Sequence, residues 1–335
     1  MHQCCRLGRS VLLAFLAVPL YAQSSAVWKD PSPHITRFAT IDKDVRLEVL
    51  DWGGSGKPIV LLAGGGDTAH VYDDFAPKLS THYHVYGITR RGFGASEYSA
   101  TDHPAKRLGD DVLAVIDALN LKRPILVGHS IAGVELSSVA NSHPDRIAGV
   151  VYLDAAYSYA FDNGKGASVM DAQKLQGPQP PPPSGTDLAS FSAFQKYYER
   201  VNGFRFPEAE LRAQWASTPE GGVGKQFDLP GYALFMPLMT GAEKYTAIPV
   251  PALVIFANPH SQGAWVDNNT DPSVQASAKA YSNALTALTE KQEKAVKDGL
   301  PTARVITVPD ANHYVYLSNE AEVLRDLGAF LADLR

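Results

Sequence analysis

Ser130 stands in Gly128-His129-Ser130-Ile131-Ala132-Gly133, directly after the apolar run Pro124-Ile125-Leu126-Val127. A buried strand that ends in Gly-x-Ser and passes at once into a helix makes a sharp turn. That turn lifts the serine hydroxyl above the sheet, where it can attack a carbonyl. Small residues are needed around it, because the serine is strained and the outgoing helix runs close to the strand. Here the second small position is Ala132 rather than glycine. His313, in Pro309-Asp310-Ala311-Asn312-His313-Tyr314, follows the last apolar run, and from such a loop an imidazole can reach the serine hydroxyl as general base. His129, next to the serine, would point away from it. Leu61-Leu62-Ala63-Gly64-Gly65-Gly66 is a glycine-rich turn after a strand, able to aim backbone N–H groups at a developing oxyanion. No Gly-Lys-Ser/Thr follows it, which argues against a phosphate loop. The chemistry these residues suit is acyl transfer through a serine nucleophile.

Strand-like and helix-like segments alternate around these residues, which predicts a mainly parallel central sheet flanked by helices. The strands expected are Val45 to Trp52, Ile59 to Leu62, His84 to Ile88, Ile125 to Val127, Ile147 to Leu153, Ala252 to Phe256 and Arg304 to Val308. Short apolar runs without alternation suit strands buried on both faces. Helices are expected over Leu108 to Leu121, Ile131 to Ser142, Ser277 to Lys297 and Asn319 to Leu334, with Val112, Val115, Ile116 and Leu119 on one face of the first. The alternation breaks at Tyr157 to Ala247, which holds the run Gly177-Pro178-Gln179-Pro180-Pro181-Pro182-Pro183 and many aromatics. This predicts a mostly helical insertion between two core strands, covering the serine. Phe235, Met236 and Met239 are candidates for lining an apolar pocket there. Arg90-Arg91-Gly92-Phe93-Gly94 reads as a tight turn with exposed cations.

With these motifs in order, the chain resembles the α/β-hydrolases of the large, lid-bearing serine esterase type, from about Asp42 to Leu334. The family's oxyanion turn aligns with Ala63-Gly64-Gly65 and its Gly-x-Ser-x-Gly elbow with Gly128 to Ala132. Its Asp-x-Arg-Gly-x-Gly-x-Ser turn aligns with Thr89 to Ser96, and its C-terminal histidine with His313. The resemblance implies an α/β-hydrolase fold, Ser130 and His313 as catalytic residues, and the backbone N–H groups of Gly65 and Ile131 as the oxyanion hole; Gly66, in the same turn, is a candidate substrate-binding residue. It would put the triad acid after Leu253 to Phe256, but Phe256-Ala257-Asn258-Pro259-His260-Ser261 holds no carboxylate. Two substitutes remain. Asp154 follows the strand Val150 to Leu153, and Asp267 lies farther along the later loop. Asp154 is preferred, because a rigid strand end orients an imidazole better than a long loop.

The expected function is hydrolysis of a hydrophobic small-molecule ester through an acyl-enzyme on Ser130. The same residues would also serve cleavage of a C–C bond or an amide, or peracid chemistry. A non-catalytic ligand-binding homologue is the alternative from another class. No cofactor or metal is expected: there is no His-Glu-x-x-His pair and no dinucleotide glycine fingerprint. The net charge of -5 gives no sign of nucleic-acid binding. Arg6 and Arg9 before the apolar run Val11 to Val18, with Ala22 after it, read as an export signal. The expected organisation is a signal peptide at 1–22, a hydrolase core at 23–156, a cap at 157–247 and a second core part at 248–335, exported to the periplasm or beyond. Both cysteines, Cys4 and Cys5, lie in the signal segment, so the mature chain would have no thiolate ligand and no disulfide. No other segment could span a membrane.

Overall fold

Apolar runs of about five residues become strands here, and amphipathic stretches between them become helices that cover both faces of one sheet. The computed structural model describes residues 28–100, 104–240 and 243–334. The chain divides into a unit of residues 1–30 and a unit of 31–335, and all the elements named lie in the second. The segment read as an export signal lies outside the described residues. The strands are β1 (Ile35–Asp42), β2 (Val45–Gly53), β3 (Pro58–Leu62), β4 (His84–Ile88), β5 (Ile125–His129), β6 (Gly149–Leu153), β7 (Trp215–Ser217), β8 (Val223–Gln226), β9 (Ala252–Ala257) and β10 (Arg304–Val308).

The main sheet has the order β1-β2-β4-β3-β5-β6-β9-β10. Pairs from β4 to β10 are parallel, and β1 and β2 join antiparallel at one edge. The expected α/β architecture is what forms. Edge strand β1 escapes a periodicity reading because most of it is exposed, including Ile35 and Phe38. In the central strands, Val60, Leu126, Val150 and Val254 face one core, while Leu61, Val127, Val151 and Leu253 face the other. Fully burying each such side chain contributes about 1.5–3 kcal/mol.

Register then decides what meets at the end of the sheet. Leu62 lies opposite Gly128, His129 opposite Leu153, Leu153 opposite Ile255, and Ala257 opposite Val308. The chain therefore leaves β3, β5, β6, β9 and β10 at nearly one level, the carboxyl end, where open parallel sheets place their sites.

Residues 154–251 run from β6 to β9. They contain the helices Val169–Ala172, Phe191–Asn202, Glu208–Gln214 and Phe235–Thr240 and the hairpin of β7 and β8. Residues 173–186 have neither helix nor strand, as the proline run requires. Phe191, Phe194, Phe204 and Phe206 are buried against the core on the side of Leu61 and Val127, so these aromatics are packing residues. The long polar helix spans Pro272–Gly299, and Asp271 caps it by accepting from the Ser273 N–H.

The turn after β4 corrects the expectation of exposed cations. Arg91 is 1% exposed, and its guanidinium donates to both oxygens of Asp111 at 2.5 and 2.7 Å. Asp111 comes from the Pro104–Ala118 helix, so a buried ion pair, not a solvated turn, ties that helix to the sheet.

Candidate active site

Ser130 follows β5 with φ +53°, the left-handed backbone that a sharp strand-to-helix turn demands. Behind it runs the Gly133–Ser142 helix, pressed against the chain leaving β6. A β-carbon built on Gly133 would lie 2.0 Å from the Ala155 carbonyl oxygen, so only glycine admits this approach.

Asp154, the first residue after β6, also has positive φ, and its N–H donates to Ile255 O at 2.7 Å. His313 comes from the loop after β10. The Ser130 hydroxyl donates to His313 Nε2 at 2.9 Å, and His313 Nδ1–H donates to Asp154 Oδ2 at 2.6 Å. The structure thus brings Ser130, His313 and Asp154 into one chain of hydrogen bonds. Asp267 ends the short helix Ala264–Asp267, and the carboxylate on His313 is that of Asp154.

Asp154 is fully buried and heavily bonded. Oδ1 accepts from the Tyr157 hydroxyl at 2.7 Å and from the Ala257 N–H at 3.1 Å. Oδ2 accepts from His313 and also from His260 Nε2, at 2.7 Å. Burial alone would raise its pKa, but the imidazoles, His260 foremost, hold it well below the usual carboxylate range. The donor atoms of Asp154, His260 and His313 lie within 4.8 Å of one another, a spread also seen in metal sites. Here the imidazole protons bind the group together.

His129 turns away from Ser130 and supports His313 from behind. Its Nε2–H donates to the His313 carbonyl at 2.9 Å. Burial, and then the nearby His313, push its pKa down to about 3, so it is a neutral donor.

The oxyanion turn is fixed by Arg90, a residue whose importance no sequence pattern signalled. Its guanidinium is buried, pairs with Glu135 through two bonds at 2.9 and 2.7 Å, and donates to the carbonyls of Ala63 and Gly64 at 2.8 and 3.1 Å. In a trans peptide the Gly64 carbonyl and the Gly65 N–H point in opposite directions. Holding the carbonyl on Arg90 therefore sets the direction of the Gly65 N–H. Gly65 and Ile131 line the same cavity as Ser130 and His313. A β-carbon on Gly65 would lie 2.8 Å from the Phe235 ring.

That cavity, of about 940 Å³, also takes Phe235 and Met239 into its wall. Met236 is 52% exposed and is not among the lining residues, and Gly66 packs under Tyr232 rather than lining the cavity. No lysine, arginine, aspartate or glutamate lines it among the described residues. The walls are apolar, from Val169, Leu175, Trp265 and Leu285, with the side-chain amides of Gln173, Gln176 and Gln262 between them.

Beside the oxyanion turn lies a second acidic group that the sequence did not reveal. Glu210, from the insertion helix Glu208–Gln214, accepts from the Thr68 hydroxyl at 2.5 Å and from the Thr68 N–H. Asp67 accepts from the Tyr314 hydroxyl at 3.3 Å and from Gln214, whose amide also serves Glu210. Burial raises the pKa of both carboxyls, and for Glu210 the adjacent Asp67 charge adds to the rise.

A mostly parallel sheet that delivers serine, aspartate and histidine from the ends of three strands defines an α/β hydrolase. Residues 59–326 match the model of the Alpha/beta hydrolase family, and the chain belongs to that family. A putative non-heme haloperoxidase of Mycobacterium phage D29 is 33% identical over 104 residues, 31% of this chain and 37% of that protein. The chain thus aligns with well under half the length of that curated relative. Among solved structures, E-2-(acetamidomethylene)succinate hydrolase superposes with TM-score 0.62 at 19% identity, covering 89% of this chain and 99% of the other. The carboxylesterase CesB (YbfK) of Bacillus subtilis superposes with TM-score 0.55 at 14% identity, covering 90% and 92%. These likenesses carry the fold.

Proposed function

We propose that the chain is an exported serine hydrolase that cleaves carboxylic esters of uncharged, hydrophobic small molecules. The observation that carries this reading is the hydrogen-bonded line Ser130–His313–Asp154 at a cavity with apolar walls. His313 takes the Ser130 proton as the hydroxyl oxygen attacks the ester carbonyl. Asp154 keeps the imidazole oriented and balances the imidazolium, while the N–H groups of Gly65 and Ile131 receive the tetrahedral oxyanion. His313 then protonates the leaving alcohol, and a water activated by the same imidazole releases the acid from the acyl-enzyme.

The lining bears on substrate charge. One structural neighbour is named for a succinate substrate. Among the described residues the cavity offers no lysine or arginine to a carboxylate, so burying one there would lack such a charged partner. The insertion at 157–247 serves as a cap and, with Trp265 and Leu285 from the segment after β9, gives the cavity its apolar walls. Export rests on the basic and apolar N-terminal segment, with cleavage after Ala22.

Hydrolysis of p-nitrophenyl esters of graded acyl length by the parent and by Ser130→Ala tests the reading. Turnover in the parent and its loss in the variant are expected, with neutral acyl groups preferred to succinyl ones. Equal turnover in both proteins would remove Ser130 as nucleophile.

A further inference from the structure

We propose that His260 is a positioning residue for the triad acid, a second imidazole that holds the Asp154 carboxylate in register with His313. This rests on the serine-hydrolase reading of Ser130, His313 and Asp154.

The stretch after β9, where the family resemblance would put a carboxylate, carries His260 instead. The loop is tied to the one that bears His313. Ser261 N–H donates to Ala311 O at 2.8 Å, His260 and Ala311 form a parallel bridge, and Asn258 N–H donates to Val308 O at 3.1 Å. This pairing brings both imidazoles to one oxygen. His260 Nε2 stands 2.7 Å and His313 Nδ1 2.6 Å from Asp154 Oδ2. The His260 side chain is 9% exposed, and its other nitrogen, Nδ1, is buried with no hydrogen-bond partner. The ring's polar contacts are thus concentrated on the acid, with the Tyr157 hydroxyl 3.4 Å from the same Nε2.

A carboxylate has about four acceptor positions. On Asp154 the Tyr157 hydroxyl, the Ala257 N–H and the two imidazoles supply four donors. Of the two on Oδ2, His313 must change its protonation state during turnover, whereas His260 stays in place. His260 therefore fixes the rotation of the carboxylate while its other partner exchanges a proton with Ser130. It touches neither the serine nor the oxyanion turn, but it also lines the substrate cavity, so KM and the Asp154→Asn background tell an effect through Asp154 from one through substrate contact.

The test measures kcat and KM on the best p-nitrophenyl ester for His260→Leu, His260→Gln, Ser130→Ala, Asp154→Asn and the double variant Asp154→Asn/His260→Leu, with thermal melts for each. Loss of this donor is expected to lower kcat about 10- to 100-fold, the scale set by small misplacements of a catalytic group, with KM within about threefold. His260→Gln retains an N–H donor and is expected to recover most of kcat. In the Asp154→Asn background, His260→Leu is expected to cost little more, since residues acting as a unit are not additive. Parent-like kcat in His260→Leu would overturn the proposal, as would a folded His260→Gln as impaired as the leucine variant. If Ser130→Ala remained active, the triad reading itself would fall. A dead Ser130→Ala beside an unimpaired His260→Leu would sink only the role of His260.

Discussion

Two acidic groups, one in the triad and one beside the oxyanion turn, are out of contact with solvent, and their carboxyls shift in opposite directions. Asp154 is wholly buried and receives two imidazole donors, a phenol and a backbone N–H. Its pKa falls well below the carboxylate range despite burial. Asp67 and Glu210 are buried just as deeply, but their hydrogen-bond partners are a threonine, a tyrosine and a glutamine, and Glu210 lies beside the Asp67 charge. Burial raises both, Asp67 to about 6 and Glu210 to about 8. Between Asp154 and this pair, depth in the fold does not decide ionisation. The donors and charges that meet the carboxyl do, and the molecule uses one arrangement to keep a carboxylate charged and the other to keep a proton in place.

The sharpest way to break this contrast is to remove the charge from Asp154. Asp154→Asn is expected to lower kcat about ten-thousand-fold, the scale of an acid-to-amide change in a triad. Asp267→Asn should leave ester turnover close to parent, and steady-state kinetics on the two variants would separate them. If the losses were reversed, the triad acid would be Asp267.

A smaller effect is expected at Glu135, another buried carboxylate, which is met by a guanidinium fork. Arg90→Lys keeps the charge but, with three donors, cannot replace the four bonds that Arg90 makes to Glu135 and to the carbonyls of Ala63 and Gly64. We expect kcat to fall about 10- to 100-fold with little change in KM. An unchanged kcat would show that the Gly65 N–H is aimed without Arg90.

The smallest effect is on stability. A carboxyl whose pKa is raised by folding stabilises fully below its unfolded value, about 4.3 for glutamate. That contribution is lost as pH climbs through the folded value, here about 8 for Glu210. Asp154 has the opposite sign, since its lowered pKa adds stability above about 3.9 that disappears in acid. Glu210→Gln should therefore melt at a temperature that gains on the parent as pH rises from about 5 to 8. Melting curves across that range would show it, and parallel curves would mean that the pair does not share a raised proton.

How much of this was legible in the sequence depends on whether the signal is local. Ser130 and its turn are spelled in six consecutive residues, and the apolar runs around it mark most strands of the sheet, though not their order. His313 is marked by its place after the last strand. The choice between Asp154 and Asp267 could not be closed from the sequence, because it depends on which strand end faces His313. Arg90 and Arg91 showed locally only as a turn, with Arg91 at the arginine of the resembled motif, and Asp67, Glu210 and His260 gave no local sign. Each owes its role to a partner 20 or more residues away, such as Asp111 for Arg91 and Asp154 for His260. Edge strand β1 was missed for another reason: its β-branched and aromatic residues are mostly exposed, so it shows no continuous apolar run. Met236 sits beside Phe235 and Met239 in sequence, but a helix turns successive residues to different sides, and it faces outward.

The contact at Gly133 also bears on how this chain can diverge. Any side chain there would run into the Ala155 carbonyl and push apart the segments that carry Ser130 and Asp154. Surface positions can drift, and the insertion can be rebuilt for a new substrate, while that codon stays closed to every amino acid but one. A lineage can retune what this site accepts far more easily than it can move the nucleophile away from its acid.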